Sequence, residues 1–170
     1  MNNCLILDGK EVALASSENL LVRVKKLHDF GRAPKLVAIL VGDDPASTTY
    51  VIMKARACHT LGIKTEIKRL SKDTTTSELK ELIFDLNNDT KVDGILLQHP
   101  VPNHIDEIAC FNAIDLKKDV DGVTTQGFGN MSMGMGAFGS CTPLGIMRIL
   151  DYYKIDLSLI HISEPTRPDE

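Results

Sequence analysis

Six consecutive apolar residues, Leu36-Val-Ala-Ile-Leu-Val41, closed by Gly42, constrain this chain more than any other stretch. A strand with one wet face alternates apolar and polar residues. A branched run with no polar interruption needs cover on both faces, as in the middle of a parallel sheet. The flanking sequence supplies that cover. Lys10 to Phe30 has a rough helical period, with Gly31 and Pro34 behind it. Ala46 to Leu61 is a second helical stretch with Gly62 as its cap. Ile63 to Leu70 alternates and predicts a more exposed strand. Thr75 and Glu78 have capping-box spacing ahead of a helix to about Asn87.

Asp93-Gly-Ile-Leu-Leu-Gln98 predicts another buried strand, and the prolines of His99-Pro-Val-Pro102 take the chain out of the sheet. Ile105 to Ala113 predicts a short helix, and Lys117 to Gly122 a charged turn. Thr124 to Ser140, rich in glycine and methionine, reads as loop. Pro143 to Tyr153 predicts a helix with Thr142 as N-cap. Leu5-Ile-Leu7 before Asp8-Gly9 predicts a short strand and turn. Strands alternating with helices define an α/β class, a three-layer parallel sheet flanked by helices. Ligands of such sheets bind beyond the carboxyl ends of the strands.

Composition narrows the partners. Net charge is −4, no basic block occurs and tryptophan is absent, which argues against nucleic acid. No apolar run approaches the ~20 residues of a membrane span, and the N-terminus lacks signal-peptide character. Cys4, Cys58, Cys110 and Cys141 are too far apart for metal-ligand spacing, so free thiols in a reducing cytoplasm are expected, with no metal.

Tyr50 and Lys54 are four apart in the second helix and so share a face. Alone, the pair reads either as an acid/base couple or as an exposed lysine beside a half-buried tyrosine. The strands ending at Val41 and Leu97 open on one edge, which brings Gln98 toward that pair. Gln98 can both donate and accept hydrogen bonds, and Asp121 is a carboxylate acceptor in the charged turn. Asp119 and Asp121 also read as solvated turn residues, Cys141 as a packed thiol, and His99 and His104 as loop residues.

Four stretches, in this order and spacing, resemble one family: Val41-Gly-Asp-Asp-Pro-Ala-Ser47 with Tyr50-Val-x-x-Lys54, Asp93 to Pro102, Lys118-Asp-Val-Asp-Gly122, and Cys141-Thr-Pro-Leu-Gly145. The family is the bifunctional methylenetetrahydrofolate dehydrogenase/methenyltetrahydrofolate cyclohydrolase of folate one-carbon metabolism, and the similarity runs from Leu5 to about Asp156. The resemblance implies oxidation of 5,10-methylenetetrahydrofolate with NADP and hydrolysis of the methenyl product to 10-formyltetrahydrofolate, a supply for purine biosynthesis. It implies Lys54 as general acid/base, Gln98 as its contact and Tyr50 beside the pterin. It further implies Asp121 on the pterin ring, Ser47 at the start of the active helix, Pro100 and Pro102 in the wall, and Leu97 and His99 among the substrate contacts. The alternatives are a pterin-binding module without chemistry and an inactive gene fragment.

The chain departs from the family after Asp156, where no glycine-rich phosphate loop follows. Residues 1–140 are expected to form the folate-binding domain and 141–156 a linker helix toward a Rossmann-like cofactor domain. NADP is thus expected of the full-length family enzyme and not bound to these 170 residues. The family implies tetrahydrofolate derivatives as partners and a homodimer. Residues 157–170 resemble the translation of a sequencing adapter and are expected to be a non-native tail.

Overall fold

A computed structural model describes residues 4–157. The adapter-like tail, apart from residue 157, lies outside the described residues. Three parallel strands, β1 (Lys35–Val41), β2 (Lys64–Leu70) and β3 (Gly94–Leu97), are ordered β2-β1-β3. Six helices accompany them among the described residues: α1 (Gly9–Asp29), α2 (Pro45–Thr60), α3 (Thr76–Asn88), α4 (Glu107–Phe111), α5 (Thr125–Ser132) and α6 (Cys141–Tyr152).

The uninterrupted apolar run is the central strand, buried on both faces as its composition requires. Val37, Ile39 and Val41 join Ile95 and Leu97 in a core covered by Leu79, Ile83 and Leu86 of α3 and by Cys110 of α4. Ala38, Leu40 and Leu96 face the other way, onto Val51 of α2. Each fully buried branched side chain contributes about 1.5–3 kcal/mol of transfer free energy. The alternating stretch forms the edge strand β2, only partly buried. Its Glu66 carboxylate lies between Lys35, at 2.6 Å, and Lys68, at 2.5 Å.

Helix ends follow the local chemistry. Thr75 and Glu78 make the reciprocal capping box at α3. Gly31 and Gly62 take positive φ values of 75° and 77° just past α1 and α2. Three expectations fail. Leu5-Ile-Leu7 is not a strand: all three are exposed, and Asp8 caps α1 through the Lys10 N–H at 2.8 Å, so the chain enters the helix at once. Part of the expected loop at 124–140 is helix α5, because Thr124 accepts the Gly127 N–H at 2.9 Å and starts it. Helix α6 begins at Cys141 after Ser140, ahead of the expected Thr142 cap; the Ser140 hydroxyl donates instead to Gly122 O at 2.9 Å.

Candidate active site

The parallel order puts the carboxyl ends of β1 and β3 side by side, and the chain leaving each carries a polar residue back across that edge. From β1 it passes Gly42, at φ 82°, into α2, capped by Asp44 with Pro45 in the first turn. The Ser47 amide donates to Asp44 Oδ2 at 2.6 Å, and the amide first, then the hydroxyl, hold the Asp44 carboxyl below its ordinary range. Ser47, Tyr50, Val51 and Lys54 fall within about 100° of arc on α2. Ser47 and Val51 are buried against the sheet, Lys54 is half-buried, and Tyr50 is 60% exposed at the rim.

From β3 the chain enters Gln98, buried at 9% exposure with its N–H on Ile39 O. Lys54 Nζ donates to Gln98 Oε1 at 3.2 Å, and Gln98 Nε2 donates to His99 O at 2.6 Å. The glutamine thus faces the amine with its acceptor and spends its donor on the main chain. His99 is an exposed ring held by Glu107 Oε1 at 2.7 Å, and the His99–Pro100 peptide is cis. The side chain of Leu97 belongs to the larger core, Pro100 is exposed and Pro102 is half-buried.

Asp121 closes the third side. Cys141 Sγ donates to Val120 O at 3.5 Å and lies beside the Asp121 carboxylate. Desolvation, then Asp121, push this thiol up to about 11, while Lys54 pulls the other way, so amine, thiol and carboxylate share one neighbourhood. A thiol so raised is a poor nucleophile, but the packed-thiol reading fails, because the residue is exposed. The turn bearing Asp121 requires a glycine next to it: Gly122 sits at φ 66°, and a Cβ there would meet Ser140 N at 2.6 Å.

Asp119 is a correction. The solvated-turn reading fails, because it is 1% exposed. Its two oxygens accept the Val123 N–H at 3.1 Å and the Thr124 N–H at 2.9 Å, while Ile95 bridges it to β3. Two charge-assisted bonds from the amides leading into α5 offset its burial. Glu107 also escaped sequence reasoning, since its partners lie across a chain reversal. A separate cavity lies on the opposite face of α2, among Ile52, Arg56, His59 and Ile67, away from Lys54.

The glycine-rich stretch does not fit a dinucleotide. Its first amides are already taken by Asp119 and Thr124, and a buried carboxylate stands where a phosphate would bind.

The fold and site together define a class: an α/β domain with a lysine–glutamine pair over the carboxyl edge of its parallel sheet. A family profile, tetrahydrofolate dehydrogenase/cyclohydrolase, catalytic domain, matches residues 7–121. The chain is 54% identical over 154 residues to the bifunctional protein FolD of Psychrobacter arcticus, covering 90% of this chain and 52% of that one. It is 54% identical over 160 residues to FolD of Teredinibacter turnerae, covering 94% and 57%. Among solved structures, the bifunctional FolD dehydrogenase/cyclohydrolase of Campylobacter jejuni superposes with a TM-score of 0.88 at 42% identity, over 90% of this chain and 55% of that one. The Trypanosoma brucei enzyme, solved with NADP cofactor and inhibitor, gives 0.86 at 27% identity over 92% and 54%. This chain belongs to the tetrahydrofolate dehydrogenase/cyclohydrolase family and carries its catalytic domain. It spans about half the length of the curated relatives it matches.

Proposed function

We propose that this chain carries the folate site of a bifunctional methylenetetrahydrofolate dehydrogenase/cyclohydrolase, and that Lys54 is the general acid/base of the hydrolytic step. The observation that carries the reading is the Lys54 Nζ to Gln98 Oε1 bond at 3.2 Å, with Asp121 alongside. Accepting one N–H fixes the amine while leaving its remaining valences for the substrate. A methenyl cation disfavours a second positive charge beside it, so the neutral amine is the working form in the complex.

Water then adds to the methenyl carbon and loses a proton to Lys54 Nζ. As the intermediate collapses, the carbon–N5 bond breaks, Lys54 returns its proton to N5, and the hydroxyl proton leaves as the formyl C=O forms. One water is consumed and one proton released. In this reading Asp121 accepts from the pterin N–H groups, Tyr50 flanks the ring from the rim, and Ser47 opens the active helix. Leu97, His99, Pro100 and Pro102 contribute wall and main chain. Residues 1–140 are the folate unit, and 141–156 lead toward a cofactor unit. NADP-dependent oxidation falls to the part of the family's length that this chain does not span. The setting is cytoplasmic one-carbon metabolism feeding purine biosynthesis, with a homodimer as the assembled enzyme. Among the described residues no helix is long and apolar enough to cross a membrane.

The test is decay of the methenyl chromophore with the purified chain and its Lys54→Met variant, alongside ligand affinity. The variant is expected to lose about 10²–10³-fold in kcat with affinity changed only a few-fold. Equal rates for the two chains, or no turnover above the spontaneous rate, overturns the reading. Retained affinity without turnover in either chain would favour a pterin-binding module.

A further inference from the structure

Gln98 can help Lys54 only if its amide points one way. Its two ends are nearly isosteric, and a flipped amide would set an NH₂ donor against the lysine. The end facing away from Lys54 donates to His99 O at 2.6 Å, so the fixed position of that carbonyl selects the orientation. What fixes the carbonyl is Glu107. A carboxylate only accepts, so His99 donates to it from Nδ1, at 2.7 Å. The same oxygen, Oε1, accepts the Val101 N–H at 3.3 Å. One atom therefore ties down residues 99 and 101, on either side of Pro100.

Glu107 is itself well anchored. It opens α4, whose Cys110 is fully buried, and the preceding Asp106 donates its N–H to Thr76 Oγ1 at 2.9 Å, at the start of α3. The chain of contacts runs from the main core through Glu107, His99 and Gln98 to Lys54 Nζ.

We infer that Glu107 is a positioning residue for the Lys54–Gln98 pair, acting by holding the 99–101 segment and thereby the Gln98 amide. The inference rests on the proposed role of that pair. Because both bonds go to one oxygen, a glutamine at 107 can still accept both through its Oε1, whereas alanine cannot. The requirement is for an acceptor at that point, not for a charge.

The experiment compares wild-type, Glu107→Gln and Glu107→Ala chains by two readouts. In methenyl hydrolysis, Glu107→Ala is expected to lower kcat about tenfold with KM within about twofold, and Glu107→Gln to keep most of the rate. By NMR, the Gln98 side-chain amide protons are expected to exchange with water about tenfold faster in Glu107→Ala and at the wild-type rate in Glu107→Gln. Wild-type behaviour of Glu107→Ala in the NMR readout overturns the inference. So does a Glu107→Gln chain as impaired as the alanine variant. Should Glu107→Ala fail to fold, His99→Ala removes one of the two bonds from an exposed site and is judged by the same readouts. If wild type shows no turnover but its Gln98 amide is protected and released in Glu107→Ala, the hydrolytic reading falls and the clamp stands.

Discussion

Ser140 donates from Oγ to Gly122 O at 2.9 Å, tying the segment ahead of α6 to the turn that carries Asp121. The contact is possible because Gly122 has no Cβ: one would lie 2.6 Å from Ser140 N and 2.7 Å from Gly139 C, both main-chain atoms. Since Cys141 follows Ser140 directly, this junction also sets the thiol against Asp121.

Gly122→Ala combines a left-handed φ with a main-chain clash and is expected to cost about 2–4 kcal/mol. Urea unfolding checks it. A midpoint equal to wild type would mean that the 121–140 junction gives way freely.

Asp119→Asn replaces one of two accepting oxygens with a donor that faces a main-chain N–H. With the carboxylate buried and bonded to the Val123 and Thr124 amides, the expected loss is about 2–3 kcal/mol. The same denaturation series reads it, and loss of helical circular dichroism from α5 should accompany it. An unaltered midpoint counts against a structural role for the buried charge.

Alkylation should separate the thiols. Cys4 and Cys141 are both exposed, but the thiol of Cys141 is pushed up to about 11 by desolvation and Asp121. The thiolate is the reacting form. At pH 8, iodoacetamide followed by peptide mass mapping is expected to label Cys4 about tenfold or more faster than Cys141. Comparable rates would place Cys141 outside the field of Asp121.

The Lys35 and Lys68 ammonium groups lower Glu66 from 4.5 to about 2. Its folded value is below its unfolded one, so its stabilisation is complete above about 4.5 and disappears as pH falls toward 2. The carboxylate is 37% exposed, which keeps the effect modest. The difference in unfolding midpoint between wild type and Glu66→Gln should shrink across that window, and a difference independent of pH refutes the assignment.

Elements whose burial is written in their own residues were legible in the sequence. β1 announced itself because cover on both faces demands an unbroken apolar run, and α3 because Thr75 and Glu78 are close in sequence. Elements stabilised from a distance were not. α5 is glycine-rich and depends on Asp119 and Thr124 for its start, while Leu5-Ile-Leu7 has strand-like residues but no strand beside it among those described. In the site, helix phase and strand ends brought Lys54 and Gln98 toward one edge, while their direct contact was implied by the family resemblance alone. Glu107 did not, since its bonds to His99 and Val101 exist only after the chain has turned at Pro100.

The two faces of the sheet are unequally insulated. α3 and α4 seal one face with a deep apolar layer, whereas α2 rests on Ala38, Leu40 and Leu96 chiefly through Val51. The helix that carries Tyr50 and Lys54 is therefore held by the shallower seal, and its detachment exposes less apolar surface than opening the α3 face. Local opening free energies should rank α2 below α3, so that amide exchange reaches the lysine's helix first. If Lys54 is the acid/base proposed above, the amine sits on the helix expected to open first.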